Sequence, residues 1–305
     1  MATETTPDVR PELGMPRVLA APRPFPLRVP VYAYVGLLVN LLSWYSSWAR
    51  VGPWPYTFFF LWTGFILFVD GLNVARTGTS PLRRSLKRFV LLFVYSAPFW
   101  WTFEALNVPV QNWHYRLDHV YALIPYVAIT TLDFATVLPA VMEVAELFAS
   151  FPGLRPRLAP SDVGPRLPVP AALSLIAVGV AMVAVPWFLP LRTYGFVWLC
   201  LAFLLDPINN LARRKSAAGH LLAGDWRFFV ALPLAALCCG FFWEMWNSRA
   251  LPNWYYTVPG FDSAPHLFAM PLPGYTGYLP FGVELFAMYQ FILLVLRRRR
   301  DNLVV

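Results

Sequence analysis

The chain has 305 residues, 58% hydrophobic and only 13% charged, with a mean hydropathy of +0.53. Soluble domains average about 45–50% apolar and about 25% charged residues, so the composition excludes an ordinary cytosolic globular protein. The net charge of +8 is therefore read loop by loop as membrane topology and not as a nucleic-acid interface. Cys200, Cys238 and Cys239 all lie in apolar runs and two are adjacent, which leaves neither a disulfide framework nor a zinc knuckle.

Residues 1–30 are polar and rich in Pro and Arg, too long for the charged region of a signal peptide, and read as a disordered cytoplasmic tail. Apolar runs about 20 residues long then predict eight transmembrane helices, at 31–49, 55–75, 89–106, 134–152, 170–190, 193–211, 228–247 and 276–296. Basic residues fall in the N-terminal tail and after spans two (Arg83, Arg84, Lys87, Arg88), four (Arg155, Arg157, Arg166), six (Arg213, Arg214, Lys215) and eight (Arg297 to Arg300). Every second connection is basic. The positive-inside rule then puts both termini in the cytoplasm, in a cell membrane of the bacterial inner-membrane kind. His220 falls in one basic connection and is expected to be solvated.

The two halves share four phrases in the same order. Asp70-x-x-Asn73 matches Asp206-x-x-Asn209, each followed by Ala-Arg. Glu104-x-x-Asn107 with Asn112-Trp113-x-Tyr115 matches Glu244-x-x-Asn247 with Asn253-Trp254-x-Tyr256. Leu138-Pro139, four residues before Glu143, matches Leu279-Pro280 before Glu284. The matched positions are separated by 136, 140, 141 and 141 residues, so register drifts only at loops. The predicted fold class is all-α: a polytopic bundle of two parallel four-helix repeats, 31–152 and 170–296, joined by a cytoplasmic linker at 153–169 and ended by a basic tail at 297–305. Four spans per unit is an even number, so the halves enter the membrane in the same sense and a pseudo-two-fold axis should run along its normal.

Carboxylates in hydrocarbon cost several kcal/mol each and are functional candidates by default. Glu143 and Glu284 fall near the midplane, Glu104 and Glu244 near the outer boundary, and these four are the candidate catalytic acids. Candidate substrate-binding residues are Asn107, Asn247, Trp113, Trp254, Tyr115, Tyr256, Trp243, Asp70, Asp206, Asn73 and Asn209. Each has a plainer reading. Asp70, Asn73, Asp206 and Asn209 suit helix ends; Trp and Tyr suit an interfacial belt; buried acids and amides glue helices together. The stretch from Tyr115 to Asp133, and its counterpart from Tyr256 to Tyr275, reads as a cap or re-entrant segment.

No G-x-G-x-x-G, G-x-x-x-x-G-K-[ST], H-E-x-x-H or G-x-S-x-G occurs, so neither nucleotide binding nor common hydrolysis has a motif, and no cofactor or metal is implied. Acids set shortly after a Pro in an aromatic-rich, duplicated membrane domain resemble the integral-membrane lycopene cyclases and related membrane terpene cyclases, on Leu138-Pro139 to Glu143 and Leu279-Pro280 to Glu284. The Pro-to-acid spacing is longer than in that family, and the E-x-x-N and N-W-x-Y phrases are not part of it. The resemblance implies an enzyme that acts on an isoprenoid or other lipid by acid, carbocation chemistry, with a Glu as proton donor. A non-catalytic lipid or small-molecule carrier and a scaffold subunit of a membrane complex are the alternatives, with the bilayer a partner in all three and the oligomeric state open.

Overall fold

The computed structural model describes residues 28–158, 162–261, 263–298 and 303. The predicted N-terminal tail up to residue 27, and Arg299 and Arg300 of the C-terminal basic tail, lie outside the described residues. In chain order the elements are α1 (Val31–Ala49), α2 (Phe58–Thr77), α3 (Pro81–Arg84), α4 (Leu86–Val110), β1 (Trp113–Arg116), α5 (Leu123–Phe134), α6 (Val137–Ala149), α7 (Val169–Ala184), α8 (Pro190–Thr193), α9 (Cys200–Leu211), α10 (Ala217–Leu222), α11 (Phe228–Asn247), β2 (Asn253–Tyr256), β3 (His266–Leu267), β4 (Met270–Pro271) and α12 (Tyr278–Val295). The protein is mostly helical.

Helix occupies all eight predicted segments. Among the described residues six stretches are long and apolar enough to cross a membrane: Phe58–Thr77, Leu86–Val110, Leu123–Ala149, Val169–Trp187, Phe228–Asn247 and Leu272–Val295. A seventh is added if Pro190–Trp198 and Cys200–Leu211, bent by 41°, count as one broken span. The 19-residue α1 is not among them, because Asn40, Ser43, Ser46 and Ser47 dilute its apolar run. Three of those polar residues belong to a stripe of buried residues, Ala33, Gly36, Asn40, Ser43 and Ser47, that faces α2. Gly36 and Gly64 let the two backbones touch: a Cβ on Gly64 would lie 2.5 Å from the Gly36 carbonyl oxygen. In the second half Gly179 of α7 does the same against Leu204 of α9, where a Cβ would lie 2.6 Å from the backbone nitrogen.

The core lies where α6 packs on α2, α4 and α11, and α12 on α9 and α11. Residues 115–133, expected as a cap or re-entrant segment, instead leave β1 and enter α5 at Leu123. The run 123–134 is apolar, and its Pro125 sits in the first turn, where a missing amide costs nothing. In the second half the counterpart is rich in Pro and Gly, and there helix resumes with a 3-10 segment, Leu272–Gly277, that runs into α12.

At one end of the bundle β1 and β2 pair antiparallel, with Trp113 opposite Tyr256, His114 opposite Tyr255, and Tyr115 opposite Trp254. The pairing is reciprocal: the Trp of each N-W-x-Y phrase faces the Tyr of the other.

Candidate functional site: an aromatic cavity behind two carboxylate clamps

The E-x-x-N and N-W-x-Y phrases turn out to be two sides of one device. Glu104 and Asn107 are three residues apart on the last turns of α4, so both side chains reach the strand that follows. The Asn107 amide donates to the Trp113 carbonyl (2.9 Å) and its oxygen accepts from the Asn112 amide (2.7 Å). Trp113 and Tyr115 alternate onto one face of β1, and both turn towards Glu104: its Oε1 accepts from Trp113 Nε1 (3.0 Å), Tyr115 Oη (2.6 Å) and also Trp100 Nε1 (2.9 Å). In the second half Asn247 donates to the Trp254 carbonyl (2.7 Å) and accepts from its amide (2.8 Å). Glu244 Oε1 accepts from Tyr256 Oη (2.6 Å), Tyr278 Oη (2.8 Å) and, at 3.4 Å, Trp254 Nε1. The fixed N-W-x-Y spacing is what a strand needs to aim two donors at one carboxylate.

The clamped aromatics form a wall. Trp100, Trp113, Tyr115, Trp243, Trp254, Tyr256 and Tyr278 line a cavity of about 520 Å³, inside the range of ligand pockets. Glu104 and Glu244 are not on its surface; they lie behind the side chains that they hold. Among the described residues that line it, Asp133 of α5 is the one with an acidic side chain, and the Phe59 backbone amide at the first turn of α2 lies near its carboxyl group. Sequence comparison passes over Asp133 because its counterpart, 141 positions on, is Gly274.

The remaining candidates lie elsewhere. Glu143 and Glu284 are fully buried and do not line the cavity. Glu143 Oε2 accepts from Asn73 Nδ2 (2.8 Å), which also reaches the Glu143 carbonyl (3.1 Å). Glu284 Oε1 accepts from the Leu201 amide at the start of α9 (2.9 Å), and Asn209 donates to the Ala287 carbonyl (2.8 Å). Asp70 and Asp206 cap the short helices beyond their spans. Asp70 accepts from the Leu82 amide (3.0 Å) and from Tyr32 Oη, and Asp206 from the Ala217 (2.6 Å) and Ala218 (2.9 Å) amides. Ser80 and Ser216, also 136 positions apart, complete these caps with bonds from the Arg83 and Gly219 amides. The structure thus brings together Glu104, Asn107, Trp113 and Tyr115 at one clamp, and Glu244, Asn247, Trp254 and Tyr256 at the other, with Trp243 on the shared wall. It separates these from the four residues near the basic connections and from Glu143 and Glu284.

His220, expected in solvent, is 4% exposed. Its ring stacks on Phe228 (4.2 Å between centroids), and its Nδ1 lies 3.0 Å from Asp225 Oδ2, because α10 folds back onto the start of α11. Burial holds this imidazole below the usual histidine range. Among the described residues no group of three or more His, Cys, Asp or Glu side chains is placed to hold a metal ion.

No protein-family model, no curated protein and no solved structure matches this chain. Geometry alone carries the functional reading.

Proposed function

We propose that the chain is an integral-membrane enzyme that admits an isoprenoid or other apolar lipid to the aromatic cavity and acts on it by acid, carbocation chemistry, as a cyclase or isomerase does. The observation that carries this reading is a cavity walled by Trp and Tyr side chains, with one carboxyl group on it. Aromatic faces steady a cation, and a carboxylic acid can give a proton to an alkene and take one back from a neighbouring carbon, so an isomer forms with no change in redox state. In this reading Asp133 is the acid, the Phe59 amide steadies the carboxylate it leaves, and Glu104 and Glu244 keep the wall in shape.

The accompanying architecture is eight spans in two parallel halves with both termini cytoplasmic, so that the cavity opens on the external side. The reciprocal register of β1 and β2 supports a two-fold relation, since Trp113 meets Tyr256 as Tyr115 meets Trp254. The likeness to membrane terpene cyclases belongs to the same reading, with the acid moved from the Pro-linked glutamates to Asp133.

Lipid extracts of cells with and without the gene test it. A gene-dependent isoprenoid product that disappears in Asp133→Asn, while the variant stays extractable and monodisperse, is the expected result. An unchanged lipid inventory with altered distribution between leaflets would replace the enzyme by a carrier.

A further inference from the structure

We infer that the cavity is selective for a compact organic cation with an apolar body. The inference rests on the cavity assigned above and goes on to the charge of its occupant. Two features converge on it.

The wall is lined by Trp100, Trp113, Trp243 and Trp254, and tryptophan is the strongest cation–π partner among side chains. Asp133 supplies the one carboxyl group, an anion once it has given up its proton, and no Lys, Arg or His is among the described residues that line the cavity. A phosphate or carboxylate headgroup would therefore find a carboxyl group and no basic partner there. Neutral hydrocarbon leaves the carboxyl group unanswered; a cation answers the aromatic side chains and the carboxylate together.

Such a cation has two sources. It is a permanent ammonium borne by the ligand, or a carbocation formed in the site from a neutral isoprenoid. The recognition chemistry is the same for both.

The test uses the purified full chain in a neutral detergent, titrated with benzyltrimethylammonium and with its uncharged carbon isostere neopentylbenzene, and followed by tryptophan fluorescence. The cation should bind at least tenfold more tightly than the isostere. Asp133→Asn keeps an oxygen for the Phe59 amide but loses the charge, and should erase most of that preference. Equal affinities, or a preference for neopentylbenzene, would overturn cation selectivity while leaving an apolar-lipid cavity in place. Binding of neither probe would overturn it too. Each of these outcomes is read on the wild-type chain alone, so the inference stays open to refutation even if Asp133→Asn does not fold. The lipid-extract experiment then separates the sources. Cation preference with a gene-dependent isoprenoid product that benzyltrimethylammonium suppresses identifies the transient carbocation. Cation preference with an unchanged lipid inventory identifies a permanent ammonium ligand, and the enzyme reading fails while the inference stands.

Discussion

The two clamps do the same work with different parts. At Glu104 all three donors are near in sequence, Trp100 one helical turn before and Trp113 and Tyr115 on the strand after. At Glu244 the third donor is Tyr278, from α12. The counterpart of Trp100 is Gly240, and the counterpart of Tyr278 is Val137. Gly240 leaves the space in which the Tyr278 ring lies, since a Cβ there would be 2.5 Å from its Cδ2. One bulky donor has been exchanged for another across a helix interface, and the carboxylate has kept three donors. What is retained is the hydrogen-bond count at the acid, not the residues that supply it. The second clamp thereby ties α11 to α12, whereas the first is closed within its own hairpin.

Restoring the first arrangement in the second half puts the largest strain on this comparison. Gly240→Trp drives an indole into Tyr278, and overpacking of this size should cost about 3 kcal/mol or more. Gly240→Trp with Tyr278→Val rebuilds the Trp100 and Val137 pattern and should recover at least half of the loss. Denaturant unfolding in detergent, read as a double-mutant cycle, measures the coupling. Additive losses would mean that the two positions are not exchanged equivalents.

A smaller difference should separate the acids themselves. Glu244 is fully buried and accepts from two tyrosine hydroxyls, so Glu244→Leu should destabilise by about 2–3 kcal/mol. Glu104 is partly exposed, so solvent can serve its donors and Glu104→Leu should cost roughly half as much. The same unfolding assay ranks them. Equal losses would remove the link to α12 as the distinguishing feature.

Much of this is legible in the sequence, where the chemistry is carried by identical residues. The clamps show as E-x-x-N and N-W-x-Y because each half needs the same carboxylate, amide, indole and phenol at the same spacing. Pro139 and Pro280 show because both occupy the first turn of a helix, where a missing amide is harmless. The Trp100–Gly240 and Val137–Tyr278 exchange is hidden, since a complementary swap destroys identity at both positions while preserving the contact. Asp133 is hidden because it exists once, and the Phe59 amide near it is distant in sequence. The small-residue stripe of α1 does not disturb the prediction of a helix there, but its polar members are what take that helix out of the six most apolar spans. Glu143 and Glu284 stand out as catalytic candidates on cost alone. Each takes a donor on one oxygen only, from Asn73 for Glu143 and from the Leu201 amide for Glu284, while Glu143 Oε1 and Glu284 Oε2 are buried without a hydrogen-bond partner among the described residues, and neither residue lines the cavity.

The smallest expected effect compares the two basic ends. Arg84 of α3 forms a bidentate pair with Glu146 (2.6 Å for each bond), whereas the counterpart of Arg84 is His220 and the counterpart of Glu146 is Ala287. With its acid gone, the second-half position carries an imidazole that is stacked, buried and held below the usual histidine pKa. A neutral ring can still donate from Nδ1 to Asp225, so the fold asks for no proton there. Below about pH 6.5 the unfolded chain takes up a proton that the folded chain refuses. Stability contributed by the neutral imidazole is therefore complete above that pH and declines as the pH falls beneath it, by less than about 1 kcal/mol over the first unit. His220→Gln keeps an amide donor and removes the titration, so the difference between wild type and variant in unfolding midpoint should shrink steadily from pH 7 to pH 5.5. An Arg84→Gln variant, whose lost charge does not titrate in that window, should show no such convergence. If the His220→Gln difference stayed constant with pH, the imidazole would be as protonated in the fold as outside it, and the contrast between the two basic ends would reduce to packing alone.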